Sequence, residues 1–282
     1  MCVPKLDGYK ISSVVHKGRA SIIYKAKSRK TGHLVAIKHV CKEVERADKY
    51  FKHIRNEFDI GRHLLEEVGD KGLHPSIIRM HDLIARRRLL MVHQYNLVME
   101  FVEGKNLQQH SNYPIKDILD IYLQMAKAMR FLHAYGYIHA DMKPSNVIVM
   151  PGLQVKLIDF GLSCRTGSKI TSIRGTRDFM APEQVERGVI DERTDAYNLG
   201  ATIYRVLTGR PLPALIPADD DETLFITSDR VKAEPIRFTN PNVPKPLEAI
   251  VMQSCERKRE KRPESMTKVI NALESIRASL FR

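Results

Sequence analysis

Cysteine is scarce, with four residues in 282, at Cys2, Cys41, Cys164 and Cys255. They are widely scattered and none stands at a metal-ligand spacing, so no cysteine metal site is indicated and reduced thiols are expected. Long hydrophobic runs are missing too. No apolar stretch approaches the ~20 residues of a membrane span, and residues 1–10 carry no apolar leader, which makes a cytoplasmic protein the expectation. No internal repeat, nucleic-acid-binding module or additional domain is visible. Acidic side chains are in deficit, with 33 Asp and Glu against 46 Lys and Arg, which leaves a net charge of +13 and an isoelectric point near 9.6.

What is present is the composition of a soluble globular protein, 43% hydrophobic and 28% charged,. The length fits one or two domains, including a two-lobed unit that shares a cleft. The basic excess is spread along the chain, with runs at residues 25–30, 86–88 and 257–262. It is open to two readings: attraction to acidic protein substrates, nucleic acid or an anionic membrane, or a solvated face plus the positive lining of a phosphate-binding site. Charge alone does not choose between them.

The most informative stretch is residues 137–161, YIHADMKPSNVIVMPGLQVKLIDFG. Two polar clusters flank an apolar run: Asp141 with Lys143 and Asn146, then Asp159 in Asp159-Phe160-Gly161. Residues 147–149 and 155–158 read as short strands joined through the turn signal Pro151-Gly152,. Such a hairpin puts Asn146 and Asp159 at the same end. Two oxygen ligands there suit Mg²⁺, which takes one or two carboxylates together with phosphate oxygens.

At these residues the chain resembles the protein kinases. His139-Ala140-Asp141 stands where the family has His-Arg-Asp, and Asp159-Phe160-Gly161 is its metal-binding triplet,. The resemblance implies an α+β, bilobal kinase-like fold: a small, mainly antiparallel β lobe with one key helix (residues 9–99), a hinge (100–104) and a larger, mainly α-helical lobe (105–282), together one kinase domain. It implies ATP and Mg²⁺ as cofactors and the Ser or Thr hydroxyl of a protein, with an acidic substrate one option. Asp141 would accept the hydroxyl proton, Lys143 would steady the transferred phosphoryl group, and Asn146 and Asp159 would hold the metal. Lys143 favours a serine/threonine kinase over a tyrosine kinase.

In the N-terminal part, residues 9–15 and 22–27 read as strands around a polar turn at 16–21. The family places G-x-G-x-x-G there so that backbone amides fold over the ATP phosphates. Only the middle glycine is present, as Gly18, with His16 and Ser21 in the outer positions. Either the site binds ATP poorly, or Lys17, Arg19 and Ser21 contact phosphate by side chain. Lys38 ends the apolar strand 35–38 and is either a snorkelling surface residue or a buried charge with partners to find. By resemblance it holds the α- and β-phosphates and pairs with Glu57, on a helix spanning roughly residues 48–66. Gly61 replaces a bulky residue on that helix, from which we expect a loosely held helix and conditional pairing. The other nucleotide contacts implied by the resemblance are Val15, Ile23, Ala36, Met99, Glu100, Val102, Asn106 and Ile148.

In the C-terminal part, Pro114 leads into an amphipathic helix over residues 115–135, whose apolar stripe reads as core packing. His139 reads as a packed structural histidine. Ala140 lacks the family's arginine, which pairs with a phosphate on the activation segment, so activity without activation-segment phosphorylation is expected. That segment, 162–180, carries Arg165, Lys169, Arg174 and Arg177, and Cys164 lies in the same basic setting, where a redox-sensing thiol is one reading,. By resemblance Thr176 bonds Asp141 and Lys143, Asp195 begins a helix and caps the catalytic-loop backbone, and Arg262 is the buried partner of Glu183. Residues 211–246 read as loops with short helices, acidic at 219–222, and the chain ends in a helix over 266–280. The phrase NLGATIYRVLTGRP resembles most the eukaryotic-type kinases of bacteria. Two rival functions stay open: a pseudokinase that binds nucleotide or scaffolds partners, and a small-molecule phosphotransferase, a class that normally lacks the 176–183 segment and the Asp195 helix.

Overall fold

The structure is a computed structural model that describes residues 6–110, 112–213, 215 and 233–280. Cys2 and the acidic run at 219–222 lie outside the described residues. The chain divides into two compact units. One comprises residues up to Glu103 together with Asp159–Gly161, and the other comprises Gly104–Ile158 and the chain from Leu162 onward.

The first unit is a five-stranded antiparallel sheet with one long helix. In chain order it contains β1 (Tyr9–Lys17), β2 (Ile22–Ser28), β3 (Leu34–Cys41), α1 (Ala47–Gly72), β4 (Met80–Arg88) and β5 (Met91–Glu100), with sheet order β1-β2-β3-β5-β4. Side chains alternate across the sheet, so one face buries Ile22, Tyr24, Ala26, Val35, Ile37 and Val98 as a core,. Cross-strand pairs Ile23 with Lys38, Lys38 with Leu97, and Ala36 with Met99 fall on the opposite face.

β1 corrects the expected strand, which ended at residue 15. Register shifts at Ile11/Ser13 and Val14/His16 keep the strand paired, so His16 lies opposite Ile23 and Lys17 opposite Ile22. The bulges break the period-2 alternation that marks a strand in sequence. The polar turn shrinks to four residues, closed by the Gly18 N–H donating to the Ser21 carbonyl at 2.8 Å.

α1 is likewise longer than expected, running to Gly72 with a non-helical break at Gly69. Its buried stripe, Phe51, Ile54, Ile60 and Leu64, carries Glu57 in its middle. The space beside Gly61 is filled from outside the helix. A Cβ built there would lie 2.4 Å from Met80 Cγ, so the missing side chain is what lets buried Met80 pack against the helix,. The Asn56 side chain adds hydrogen bonds to the carbonyls of Phe160 and Gly161, each at 3.2 Å.

The second unit is mainly helical. It contains β6 (Lys105–Asn106), α2 (Ile115–Ala134), β7 (Tyr137–Ile138), β8 (Val147–Val149), β9 (Val155–Leu157), β10 (Cys164–Arg165), α3 (Pro182–Val185), α4 (Glu192–Thr208), α5 (Ile236–Thr239), α6 (Lys245–Ser254) and α7 (Met266–Leu280). α2 follows Pro114 and buries Leu119, Tyr122, Met125, Met129 and Leu132 among α4 and α7. α4 starts one turn before Asp195, because the Asp191 side chain caps the Arg193 N–H at 3.0 Å,. β8 pairs with β9 around Pro151-Gly152, Val147 opposite Leu157, and β6 pairs with β8. Among the described residues no helix is long and apolar enough to cross a membrane.

α3 is held by a buried ion pair. Arg262 donates to both Glu183 oxygens at 2.8 and 3.0 Å, and its remaining donors reach the carbonyls of Arg193, Glu256 and Arg257. Thr194 donates to the same carboxylate at 2.7 Å. Arg262→Ala leaves Glu183 buried and uncompensated, so we expect a loss of about 3–5 kcal/mol in urea unfolding, far beyond that of an exposed arginine such as Arg46→Ala,.

Candidate active site

The first unit assembles three of the expected charged residues. Lys38 Nζ lies 2.7 Å from Glu57 Oε2 and 3.2 Å from Asp159 Oδ1. Glu57 is 1% exposed, too buried to ionise without a partner, and Lys38 supplies one,. Burial works against the Lys38 ammonium, but the Asp159 and Glu57 carboxylates outweigh it and hold the group above its ordinary value. Burial also pushes the Glu57 carboxyl up, to about 7, against the pull of Lys38. Met80 packed against Gly61 and the Asn56 hydrogen bonds hold the helix that carries Glu57.

The second unit assembles the other set. Asp141, 7% exposed, receives Lys143 Nζ on one oxygen at 2.7 Å and the Thr176 hydroxyl on the other at 2.9 Å. Lys143 also donates to Thr176 Oγ1 at 2.8 Å, closing a triangle. Gly175, at φ 132, makes the bend that delivers Thr176; a Cβ there would lie 2.6 Å from Met180 Cγ. Asn146 donates its amide to the Asp141 carbonyl at 2.9 Å, while its own backbone carbonyl accepts the Ile158 N–H at 2.9 Å. Asp159 is the next residue in the chain.

Beneath this triangle lies a carboxylate that water does not reach. Asp195, 0% exposed, accepts the N–H groups of His139 and Ala140, both at 2.8 Å, and so caps the loop backbone. Ala140 is held at φ 61, a left-handed conformation that costs an alanine roughly 1–2 kcal/mol,. The Asp141 N–H donates to His139 Nδ1 at 3.3 Å, and His139 is buried, which fits its expected structural role.

Two supporting residues were not anticipated. His133, on α2, places Nε2 2.8 Å from Asp195 Oδ2. Burial alone would depress this imidazole, but the hydrogen bond to Asp195 and the Glu192 carboxylate 3.6 Å from Nδ1 hold it up at about 9, so it is an imidazolium at neutral pH. Gln184, 1% exposed, donates to the Ala140 carbonyl at 2.7 Å and to the Arg174 carbonyl at 3.2 Å, and accepts from the Ala181 N–H and from Asn198. For His133 the available signal was a polar side chain on an otherwise apolar helix face, which marks a buried group in need of partners; Gln184 carried no such signal,.

The residues expected at the nucleotide fall in both units. Ile23, Ala36 and Met99 share the Lys38 face of the sheet, Val15 sits in the β1 bulge, and Glu100 ends β5 just before Val102. Glu100 is already engaged, accepting the Arg79 N–H on its side chain at 2.8 Å. Asn106 pairs with Ile148 across β6 and β8. Its Oδ1 caps the N–H groups of Gln108 and Gln109 at 3.1 and 2.9 Å, so Asn106 shapes a turn in the first place. Gly18 has only ordinary van der Waals neighbours around a built Cβ and no positive φ, so nothing in the fold demands glycine there. Cys164 is not activated by its basic neighbours, because burial pushes its thiol up to about 11.

The first unit thus holds a Lys–Glu–Asp cluster on one sheet face, and the second an Asp–Lys–Thr triangle over a capped loop. The chain belongs to the protein kinase family, since the family model for the protein kinase domain matches residues 9–273. It is 27% identical over 279 residues to a probable serine/threonine-protein kinase of Clostridium perfringens, covering 95% of this chain and 38% of that protein. It is 26% identical over 268 residues to the serine/threonine-protein kinase PknB of Mycolicibacterium smegmatis, covering 91% and 41%. It is 31% identical over 212 residues to the serine/threonine-protein kinase TIO of Arabidopsis thaliana, covering 73% and 15%. The chain spans about two fifths of the length of the two bacterial relatives.

His133 makes stability depend on pH. Its folded-state value of about 9 lies above the 6.5 of a free imidazole, so its contribution is complete below pH 6.5 and declines as pH rises,. It is gone once pH passes about 9. The amount at stake is on the order of 3 kcal/mol. Urea unfolding at pH 6.5 and 9.5 should show this loss in the native chain, and a much smaller difference between the two pH values in His133→Gln.

Proposed function

We propose that this chain is a protein kinase that transfers the γ-phosphoryl group of ATP to Ser or Thr hydroxyls of proteins, with Mg²⁺ as cofactor. The observation that carries the proposal is the Asp141–Lys143–Thr176 triangle, in which a carboxylate already holds one hydroxyl at 2.9 Å beside an ammonium at 2.7 Å. A substrate hydroxyl presented to Asp141 would give up its proton as its oxygen bonds to phosphorus and ADP departs. Lys143 would offset the charge on the transferred group, and Lys38, kept charged by Glu57 and Asp159, would hold the α- and β-phosphates. Gly18, free of any demand from the fold, leaves room for phosphate to approach the backbone,.

The donor set suits Mg²⁺. Among the described residues no cluster of three or more His, Cys, Asp or Glu forms an all-protein cage. Asp159 supplies a carboxylate, and the Asn146 amide, anchored through Nδ2, keeps Oδ1 without a hydrogen bond among the described residues. Mg²⁺ bound through these oxygens would neutralise phosphate charge. A cavity of about 360 Å³ beside the triangle, lined by Lys143, Ser145, Thr176, Asp178, Phe179 and Arg205, would seat residues flanking the acceptor. Arg205 on its wall makes no ion pair among the described residues, which together with the net charge of +13 favours an acidic substrate,.

We further propose that this activity needs no phosphate on the activation segment. Where the family's arginine would reach a phosphate, Ala140 joins Ile138, Ile170 and Ile190 in a buried apolar cluster. The segment is also tied by backbone: Cys164 pairs with Ile138, Lys169 bridges Val189, and the N–H groups of Gly167 and Ile170 donate to Ile190 and Gly188. Chain treated with phosphatase should retain its transfer rate, whereas Ile170→Asp should lose most of it and expose the segment to protease. Loss of activity on phosphatase treatment would overturn this part.

Transfer of labelled phosphate to acidic and basic test proteins checks the reaction itself. Asp141→Asn should lower the rate about 10²- to 10⁴-fold, and Lys38→Met should abolish the thermal shift given by Mg²⁺–ATP. A native chain that gives the shift but no transfer would be a pseudokinase, and one that labels only small molecules would be a different phosphotransferase.

A further inference from the structure

The hairpin joining β4 to β5 carries side chains that the fold does not use. Arg88 pairs with Met91, so Leu89 and Leu90 form a two-residue turn. A two-residue turn whose positive φ falls at the first central position alone favours glycine there,. Here Leu89 adopts φ 55, unfavourable for a bulky side chain,. Folding recovers nothing in return: Leu89 is 93% exposed, Leu90 92% and Met91 61%. Neither turn geometry nor burial accounts for leucine at these positions.

The surroundings are cationic. Arg87 and Arg88 are exposed and make no ion pair among the described residues, and Arg86 reaches only the fully exposed Asp7, at 3.8 Å. Lys42, at the end of β3, places Nζ 3.8 Å from Met91 Sδ. The acid in this neighbourhood, Glu43, is engaged by His93 at 2.9 Å. Three apolar side chains therefore stand at a convex tip with a collar of three arginines and a lysine.

We propose that this hairpin tip docks the chain onto an anionic phospholipid surface. Leu89, Leu90 and Met91 enter the boundary between headgroups and acyl chains, while the Arg86–Arg88 guanidiniums and Lys42 meet lipid phosphates. Charge complementarity and shape favour this occupant over a protein. Three side chains on a convex turn offer a few hundred Å² at most, against the roughly 800 Å² per partner of a stable protein interface, whereas a bilayer accepts an apolar tip of any size. Binding through a tip and its collar would be reversible and salt-dependent.

Co-sedimentation of the 282-residue chain with vesicles of phosphatidylcholine alone, or with phosphatidylserine added, tests the proposal. Binding should require phosphatidylserine and weaken as salt rises. Leu89→Gly with Leu90→Asn gives the turn its favoured residues, so the variant should fold at least as well as the native chain, yet its partitioning should fall about ten-fold or more,. Arg87→Glu with Arg88→Glu should lower partitioning at least ~25-fold, since each arginine near the surface is worth about five-fold. The proposal is overturned if the native chain does not sediment with phosphatidylserine vesicles, or if the Gly-Asn variant binds as tightly as the native chain, which would leave only diffuse charge. Self-association that the Gly-Asn variant abolishes, with no vesicle binding, would make the tip an interface between copies instead.

Discussion

A carboxylate shut away from water must be satisfied by protein donors or lose its charge, and Asp195 has three donors: the N–H groups of His139 and Ala140 and the imidazolium of His133,. Much follows from this arrangement. The two capped amides hold Ala140 in a left-handed conformation that alanine would not choose,. Turning the backbone there aims Asp141 at Lys143 and Thr176, so the triangle depends on a residue that is not part of it. Helix α4 supplies the carboxylate from its first turn, which fixes the loop to a largely buried helix of the second unit.

The same unit shows polar and apolar solutions side by side. Glu183 and Arg262 satisfy each other in the interior, with every further arginine donor spent on carbonyls, which is what makes a buried pair tolerable,. Around Ala140 the opposite choice is made. An arginine there would need an anion to face, whereas alanine packed with Ile170 and Ile190 asks for none. Gln184 completes the tie by spanning the Ala140 and Arg174 carbonyls. The segment that follows is thereby held by packing and backbone hydrogen bonds instead of by a charge that could be added or removed.

Much of the architecture was legible because local signals and burial agreed. The α2 stripe, the terminal helix over residues 266–280 and the β8–β9 hairpin fall where periodicity and Pro151-Gly152 placed them. Misreadings occurred where a tertiary contact overrode the local pattern. β1 stays paired past two bulges, so its alternation fails although the strand continues,. Gly61 reads as a deletion of packing when taken alone, yet Met80, 19 residues further along, fills the space. Cys164 looks activated from its basic neighbours, but burial governs its thiol.

The order of residues determined the fold class, the two polar clusters and the identity of the charged groups, because these rest on periodicity and on short spacings that survive without coordinates. The tertiary structure decided which groups meet. Lys38 and Glu57 are 19 residues apart, His133 and Asp195 are 62 apart, and Ala140 and Ile170 sit in different segments of the chain. Buried charges find partners by proximity in space, and burial sets both the cost of leaving them unpaired and the direction in which their proton affinities move. Neither quantity exists until the chain has folded.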